Sequence, residues 1–405
     1  MFRRPTGRLI VLASILILSI NARSLAAADD TPDPGLVDSQ FVFPIDTRHN
    51  HAPGIVEFPS GDLLVSWFRG SGERTADDVA VYGAWKRAGA RQWSEPFVMA
   101  DQPGFPDCNT CMHLDDQNRL WLFWPTIIAN SWESCLTRYQ VADQVSPDHA
   151  PQWKRSGLVL LKPDDFSEDA QRVIGGLIAE QFPDPLPSRL ANALDQAKAK
   201  LSDKLYQRLG WQPRCKPTVL PGGRILLPLY TDTFSIGIMA VSDDGGDSWY
   251  ASKPLLGFGN IQPSVVRRND GTLVAYMRDN GPTGRVFASE SGDDGITWTV
   301  ARATEIANPG SGLDAVRLRN GNWVLVGNDT PERRNRLTLF LSDDEGASWK
   351  WKRSIEAHDG GSYHYPAIIQ AADDDLHLVY SYFVDGGKTI KYVKVSESWI
   401  RSGDH

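Results

Sequence analysis

A short signature written three times constrains this chain more than any other feature. It reads SDDGGDSWY from Ser242, SGDDGITWT from Ser291 and SDDEGASWK from Ser342. The tryptophans that close it, Trp249, Trp298 and Trp349, stand 49 and 51 residues apart. The segment RAGARQW, ending on Trp93, reads as a worn fourth copy. A near-constant period of this length marks a chain that stacks one supersecondary unit repeatedly. The signature suits a turn: its Ser hydroxyl and Asp carboxylate accept loop N–H groups, its Gly permits positive φ, and its Trp packs beneath. These aspartates are structural on this reading, because equivalent copies in different units cannot all face one site.

A second pattern counts the units. Alternating apolar residues, a polar turn and a denser apolar run recur in GIVEFPSGDLLVSWF from Gly54, CMHLDDQNRLWLFW from Cys111 and PTVLPGGRILLPLY from Pro217. They return in PSVVRRNDGTLVAYM from Pro263, AVRLRNGNWVLVGN from Ala315 and AIIQAADDDLHLVYSY from Ala367. Each reads as two strands joined by a tight turn. Six such hairpins, in units with room for four short strands, predict an all-β fold: a six-bladed β-propeller with the tryptophan signature in the turn between outer strands. Between the second and third hairpins the interval doubles, and residues 167–210 carry apolar side chains at helical spacing. Leu190, Leu194, Ala197, Leu201 and Leu205 form one stripe. This predicts a helical insertion over about 157–211, placed either as a wall over the site or against the side of a blade.

At the N-terminus, Arg3, Arg4 and Arg8 precede the apolar run Leu9–Ile20, and SLAAADD offers a small-residue cleavage site near Ala28. Residues 1–28 are read as a signal peptide and 29–405 as the propeller domain, exported to the periplasm or the extracellular medium. The run is shorter than the roughly 20 residues of a spanning helix, so no membrane span is expected in the mature chain. The formal charge is −8, and loss of Arg3, Arg4, Arg8 and Arg23 leaves the chain more acidic still. Such a balance disfavours nucleic acid as a partner. The cysteines are Cys108, Cys111, Cys135 and Cys215. CNTC has no second CxxC to complete a zinc site, so neither metal nor cofactor is expected, and one or two disulfides are the plainer reading.

Six hairpins with these Asp-boxes resemble the sialidase (neuraminidase) superfamily, over roughly residues 41–395 without the insertion. HAPGIVEFPSGDLLVSWF, NPGSGLDAVRL and SYHYPAIIQ are similar to its bacterial "predicted neuraminidase" branch. The family holds a sugar carboxylate with three arginines, uses an Asp as acid/base, and a Tyr activated by Glu as nucleophile, an exception among glycosidases. The resemblance implies Tyr365 as nucleophile, with Tyr363 nearby, and Arg278 as a carboxylate-binding residue, with Arg334 and Arg336 as rivals for another. Asp77 and Asp78 compete for the acid/base role, and Asp78, next to the strand, is preferred.

Two positions depart from the family. His51 stands where the first arginine is expected, and Gln262 where the Tyr-activating Glu is expected. A histidine offers a weaker grip on a carboxylate than a guanidinium does, and an amide cannot take a proton from a phenol. Lys216 and Asp314 lie at matching blade entrances and join the candidate substrate-binding set. The leading expectation is a secreted exo-glycosidase of exo-α-sialidase type, acting on terminal acidic sugars of a glycan. The alternatives are a polysaccharide lyase acting on uronate-containing glycans, in which His51 or Tyr365 abstracts the α-proton, and a non-catalytic carbohydrate-binding propeller.

Overall fold

The computed structural model describes residues 36–181 and 186–403; the expected signal segment lies outside them. Six antiparallel sheets follow one another in chain order as the blades of a propeller. Blade 1 comprises His49–Glu57, Leu63–Gly70, Ala80–Lys86 and Phe97–Ala100. Blade 2 comprises Cys111–Leu114, Leu120–Ile127, Cys135–Ala142 and Arg155–Leu158. In blade 3 the inner strand is split into Gln212–Pro213 and Thr218–Val219, followed by Ile225–Thr231, Ile236–Ser242 and Tyr250–Ala251. Blade 4 runs through Asn260–Arg267, Leu273–Asp279, Arg285–Ser291 and Arg302–Ala307. Blade 5 runs through Asp314–Arg317, Trp323–Asn328, Arg336–Ser342 and Trp351–Ala357. Blade 6 takes Ser362–Gln370, Leu376–Val384 and Gly387–Val395 from the end of the chain and its outer strand, Leu36–Phe41, from the beginning. This pairing closes the ring and covers an edge that would otherwise stand open.

The second strand of each blade has both faces covered, which is why it reads as a dense apolar run. In blade 1, Leu64 faces Met112, Leu122 and Trp124 of blade 2, whereas Val65 and Trp67 face Val379 and Tyr392 of blade 6. A comparable apolar cluster fills each of the other spaces between blades. The tryptophan signatures lock the outer turns beside them. Asp244 Oδ1 accepts from Ser242 Oγ at 2.8 Å and from Ser248 N at 2.9 Å, and Asp293 and Asp344 repeat the arrangement. Gly246 sits at φ +87°, where a Cβ would come within 2.3 Å of Trp121 in the preceding blade, so the glycine is needed twice over.

The insertion forms helices Phe166–Gln181, Ser188–Ser202 and Lys204–Arg208. Phe166, Ala170 and Leu201 pack with Trp211 and Ile236, seating it against blades 2 and 3. The apolar stripe stops at Leu201. Asp203 ends one helix and caps the next by accepting from Leu205 N at 2.8 Å, and this break in phase leaves Leu205 exposed at 52%.

The cysteines differ from expectation: all four are unbonded and buried. Burial pushes the Cys215 thiol up to about 12 and raises the other three as well, so they act as small apolar fillers.

Candidate active site

Three blades enter the propeller axis through the same local device. The inner strands of blades 1, 4 and 6 each carry a register shift, at Ala52, Gln262 and Tyr365, with φ of +53°, +58° and +49°. Each of these residues precedes a proline: Pro53, Pro263 and Pro366. A bulge of this kind re-aims a side chain, and a bulky residue at positive φ persists only where its surroundings hold it there. For Tyr365 the clamp is Arg214, which is 1% exposed. Its guanidinium donates to Tyr365 O, to Pro366 O at 2.8 Å and to Pro53 O at 3.4 Å, tying the bulges of blades 6 and 1 together.

The Tyr365 ring is the centre on which the other groups converge. Arg278 donates to its hydroxyl at 2.8 Å and Gln262 Nε2 at 3.2 Å. The Arg214, Arg278 and Arg334 guanidiniums lie 5.1, 5.9 and 6.0 Å from the ring centre. His51 stacks on the ring at 4.4 Å. Behind the hydroxyl runs a buried polar chain: Gln262 donates to Tyr230 at 3.1 Å, Asn109 to Tyr230 at 3.2 Å and to Gln212 at 2.8 Å, and Gln212 to Asp232 at 2.9 Å. Gln262 Oε1 and Arg278 Nε are buried without partners among the described residues, an imbalance typical of a site built for something else to complete.

Charge in this cup is sorted by burial. His51 is held neutral, well below the usual histidine range, by burial and by His364, His49, Arg334 and Arg214 around it. His364 is lowered to about 2 by burial and by Arg334. Because a guanidinium only donates, Arg334 at 2.6 Å makes His364 Nδ1 the acceptor and leaves Nε2–H to reach Ser362 Oγ at 2.7 Å. Two carboxylates border the cup with opposite tendencies. Burial raises Asp232, with Arg278 pulling against it. Glu73 is lowered: burial raises it, but His49, whose Nε2 lies 3.2 Å away, together with Arg74 and Lys388 outweighs that effect.

The sequence-predicted residues divide accordingly. Tyr365, Arg278, Arg334 and Gln262 are brought together. Arg336 is exposed on the blade 5 strand, which resolves its rivalry with Arg334. His51 does not take the place of an arginine: it is 5% exposed, its Nδ1 lies 2.8 Å from Ser381 Oγ, and its face is covered by Tyr365. Asp78 turns away as well. It is exposed and accepts from Ser71 Oγ at 2.7 Å, a bond that lowers its pKa, while Asp77 accepts from Asn130 at 2.9 Å. Lys216 and Asp314 are spent on each other at 2.7 Å, and Asp314 also accepts from Ser264 Oγ at 2.7 Å and Ile368 N at 3.0 Å. Together with Arg214 they line a void of only about 10 Å³, so the axis beneath Tyr365 is plugged. Tyr363 is fully buried in the core between blades 5 and 6.

Arg214, Asp232, Tyr230 and Glu73 escaped the sequence reading. The signal for Asp232 was its place directly after the second strand of the blade 3 hairpin, Ile225–Thr231. Arg214 stood in plain view one residue before Cys215, without a partner pattern to mark it.

Comparison with known proteins agrees with the propeller fold. A curated anhydrosialidase of Macrobdella decora is 27% identical over 212 residues, 45% of this chain, and the match spans 24% of that protein's length. Among solved structures, a Dyadobacter fermentans protein of unknown function superposes with a TM-score of 0.66 at 14% identity, covering 90% of this chain and 100% of its own. The Ruminococcus gnavus intramolecular trans-sialidase gives 0.64 at 12% identity, covering 88% and 96%. The NanB sialidase of Streptococcus pneumoniae gives 0.65 at 12%, covering 91% and 71%. The model of the BNR repeat-like domain matches residues 61–167 and 209–378, leaving out the helices between, and the chain therefore belongs to this BNR-repeat family within the sialidase superfamily.

Proposed function

We propose that this protein is an exo-glycosidase of sialidase type that releases a terminal acidic sugar from a glycan. The observation that carries the reading is the Tyr365 hydroxyl, fixed by Arg278 and Gln262 under a ring on which three guanidiniums converge. Arg278 and Arg334 hold the sugar carboxylate. Tyr365 meets the cationic anomeric centre, and the two N–H donors take up the charge that its oxygen carries. Asp232, half-buried and held toward its protonated form, gives its proton to the leaving oxygen, while Glu73 stays anionic and steadies His49. Export through a signal in residues 1–28 belongs to the same reading; among the described residues no helix is long and apolar enough to cross a membrane.

A lyase acting on uronate is the second reading, favoured by one observation: Gln262 leaves Tyr365 without a carboxylate partner on its oxygen. Incubation with sialosides and uronate-containing glycans, following reducing ends and ultraviolet absorbance together, separates the two. Free acidic sugar, lost by at least about 100-fold in Tyr365→Phe, supports the glycosidase. An absorbance rise on a uronate transfers the site to elimination, and silence on every glycan leaves a carbohydrate-binding propeller.

A further inference from the structure

A groove of about 1050 Å³ lies between blades 3 and 4 and the inserted helices. One end of it adjoins the loops that follow two residues of the candidate site. Thr233, Phe234 and Ser235 line it and directly follow Asp232; Gly281, Pro282 and Thr283 line it and directly follow Arg278, Asp279 and Asn280. Asn280 Nδ2 donates to Ser235 Oγ at 2.8 Å, joining the two lips. Beyond them the walls are mostly apolar, with Phe258 and Phe287 on the propeller side and Ile174 and Leu194 on the helices, and Gln171, Gln181, Lys198 and Arg302 are the polar members.

The helical wall carries a further sign. Gly175 and Gly176 lie inside the helix Phe166–Gln181, where each glycine costs about 1 kcal/mol relative to alanine. A Cβ on either would meet nothing within 4 Å among the described residues, so no packing requires them. Gly175 lines the groove and Gly176 does not. A glycine there keeps the groove wide.

We propose that this groove receives an apolar aglycone, an alkyl chain carried on the oxygen that leaves the acidic sugar. The inference rests on the glycosidase reading and deepens it: Asp232, assigned to protonate the leaving oxygen, immediately precedes Thr233 on the groove's lip. What is attached to that oxygen therefore enters the groove, and its walls select an alkyl chain over a polar sugar chain.

The test compares kcat/KM for methyl and octyl α-sialosides, whose leaving alcohols differ little in acidity, on the full chain and on Gly175→Trp and Gly176→Trp. The expected result is an octyl preference of about 100-fold, the gain from burying roughly three to four methylene groups. Gly175→Trp is expected to obstruct the groove, collapse that preference to below about 3-fold and leave the methyl glycoside unaffected, while Gly176→Trp on the neighbouring face retains it. Equal rates for methyl and octyl in the unsubstituted chain, or a preference that survives Gly175→Trp, overturn the groove assignment and leave the glycosidase reading standing. Release of sugar from neither glycoside overturns the glycosidase reading itself and the aglycone with it.

Discussion

Replacing Gln262 with Glu tests how Tyr365 is activated. The amide lies 3.2 Å from the Tyr365 hydroxyl and 3.1 Å from that of Tyr230, and it is 1% exposed. A carboxylate there accepts the phenol proton that an amide cannot take, a form of assistance worth roughly 100- to 10,000-fold where it operates. The cost is burial of a charge, several kcal/mol if unpaired. Arg278 offsets part of it: both side chains touch the same phenol oxygen, so they stand no more than about 6 Å apart, where attraction at an effective dielectric of 20 is about 3 kcal/mol. Gln262→Glu should therefore lower stability by about 1–2 kcal/mol and raise kcat on a sialoside by about 100-fold. The pH profile should gain a limb, the rate climbing with pH as the new carboxylate ionises. Fluorogenic sialoside hydrolysis across the acid-to-neutral range, with urea unfolding alongside, measures both. An unchanged or lower kcat in a folded variant would refute the idea that the missing base limits Tyr365.

Arg214→Met is expected to cost about 3 kcal/mol in urea unfolding, since three buried carbonyls lose their donor at once; a cost below about 1 kcal/mol would mean that the Tyr365 bulge holds itself. Asp232→Asn should lower glycoside hydrolysis by at least about 100-fold while Asp78→Asn stays within about 2-fold, and the reverse order returns the proton to the blade 1 loop. The buried histidines make the fold acid-sensitive. Burial lowers His113 and His377 to about 4 and His364 to about 2, and His51 is also well below 6.5. Below pH 6.5 the unfolded chain binds protons that the folded one refuses, so each of these histidines removes up to about 1.4 kcal/mol of stability per pH unit. Asp107 and Asp232, raised by burial, act in the opposite sense but are fewer. Urea midpoints should fall steadily from neutral pH toward pH 5, and a flat profile would show that these rings are charged in the folded chain.

The blade number was legible because a propeller writes its architecture into period and burial together. Leu64 and Val65, adjacent in sequence, face different neighbouring blades, and every unit repeats that demand. That Tyr365 and Arg278 meet was legible from their places in the hairpins of blades 6 and 4. Asp78 was misread for a physical reason: a loop's composition lists its carboxylates but not which of them turns inward, and here the nearby Ser71 satisfies Asp78 at the rim. His51 was placed at the right strand and given the wrong role, because burial against Tyr365 and Ser381 decides what an imidazole does. Arg214 was beyond reach, since its acceptors lie some 150 residues away on other blades.

The residues that make the candidate site chemical are those that break the repeat. Inner strands run in regular register where blades only need to pack, as between Asp314–Arg317 and Trp323–Asn328 of blade 5. In blades 1, 4 and 6 the register slips before a proline, and two of the three displaced residues are Gln262 and Tyr365, which meet at one oxygen. The third, Ala52, has no reach of its own; its amide donates to Ser381 Oγ at 3.0 Å, on the hydroxyl that also faces His51. Proline suits each slip because it removes an N–H that the interrupted ladder has no acceptor for. The strain of three positive-φ residues is concentrated around the phenol, where Arg214 can hold two of the bulges with one guanidinium. A symmetric fold thus acquires a one-sided site through local irregularity, and the same irregularity makes Arg214, whose donors are spent on the bulge carbonyls, a positioning residue for Tyr365.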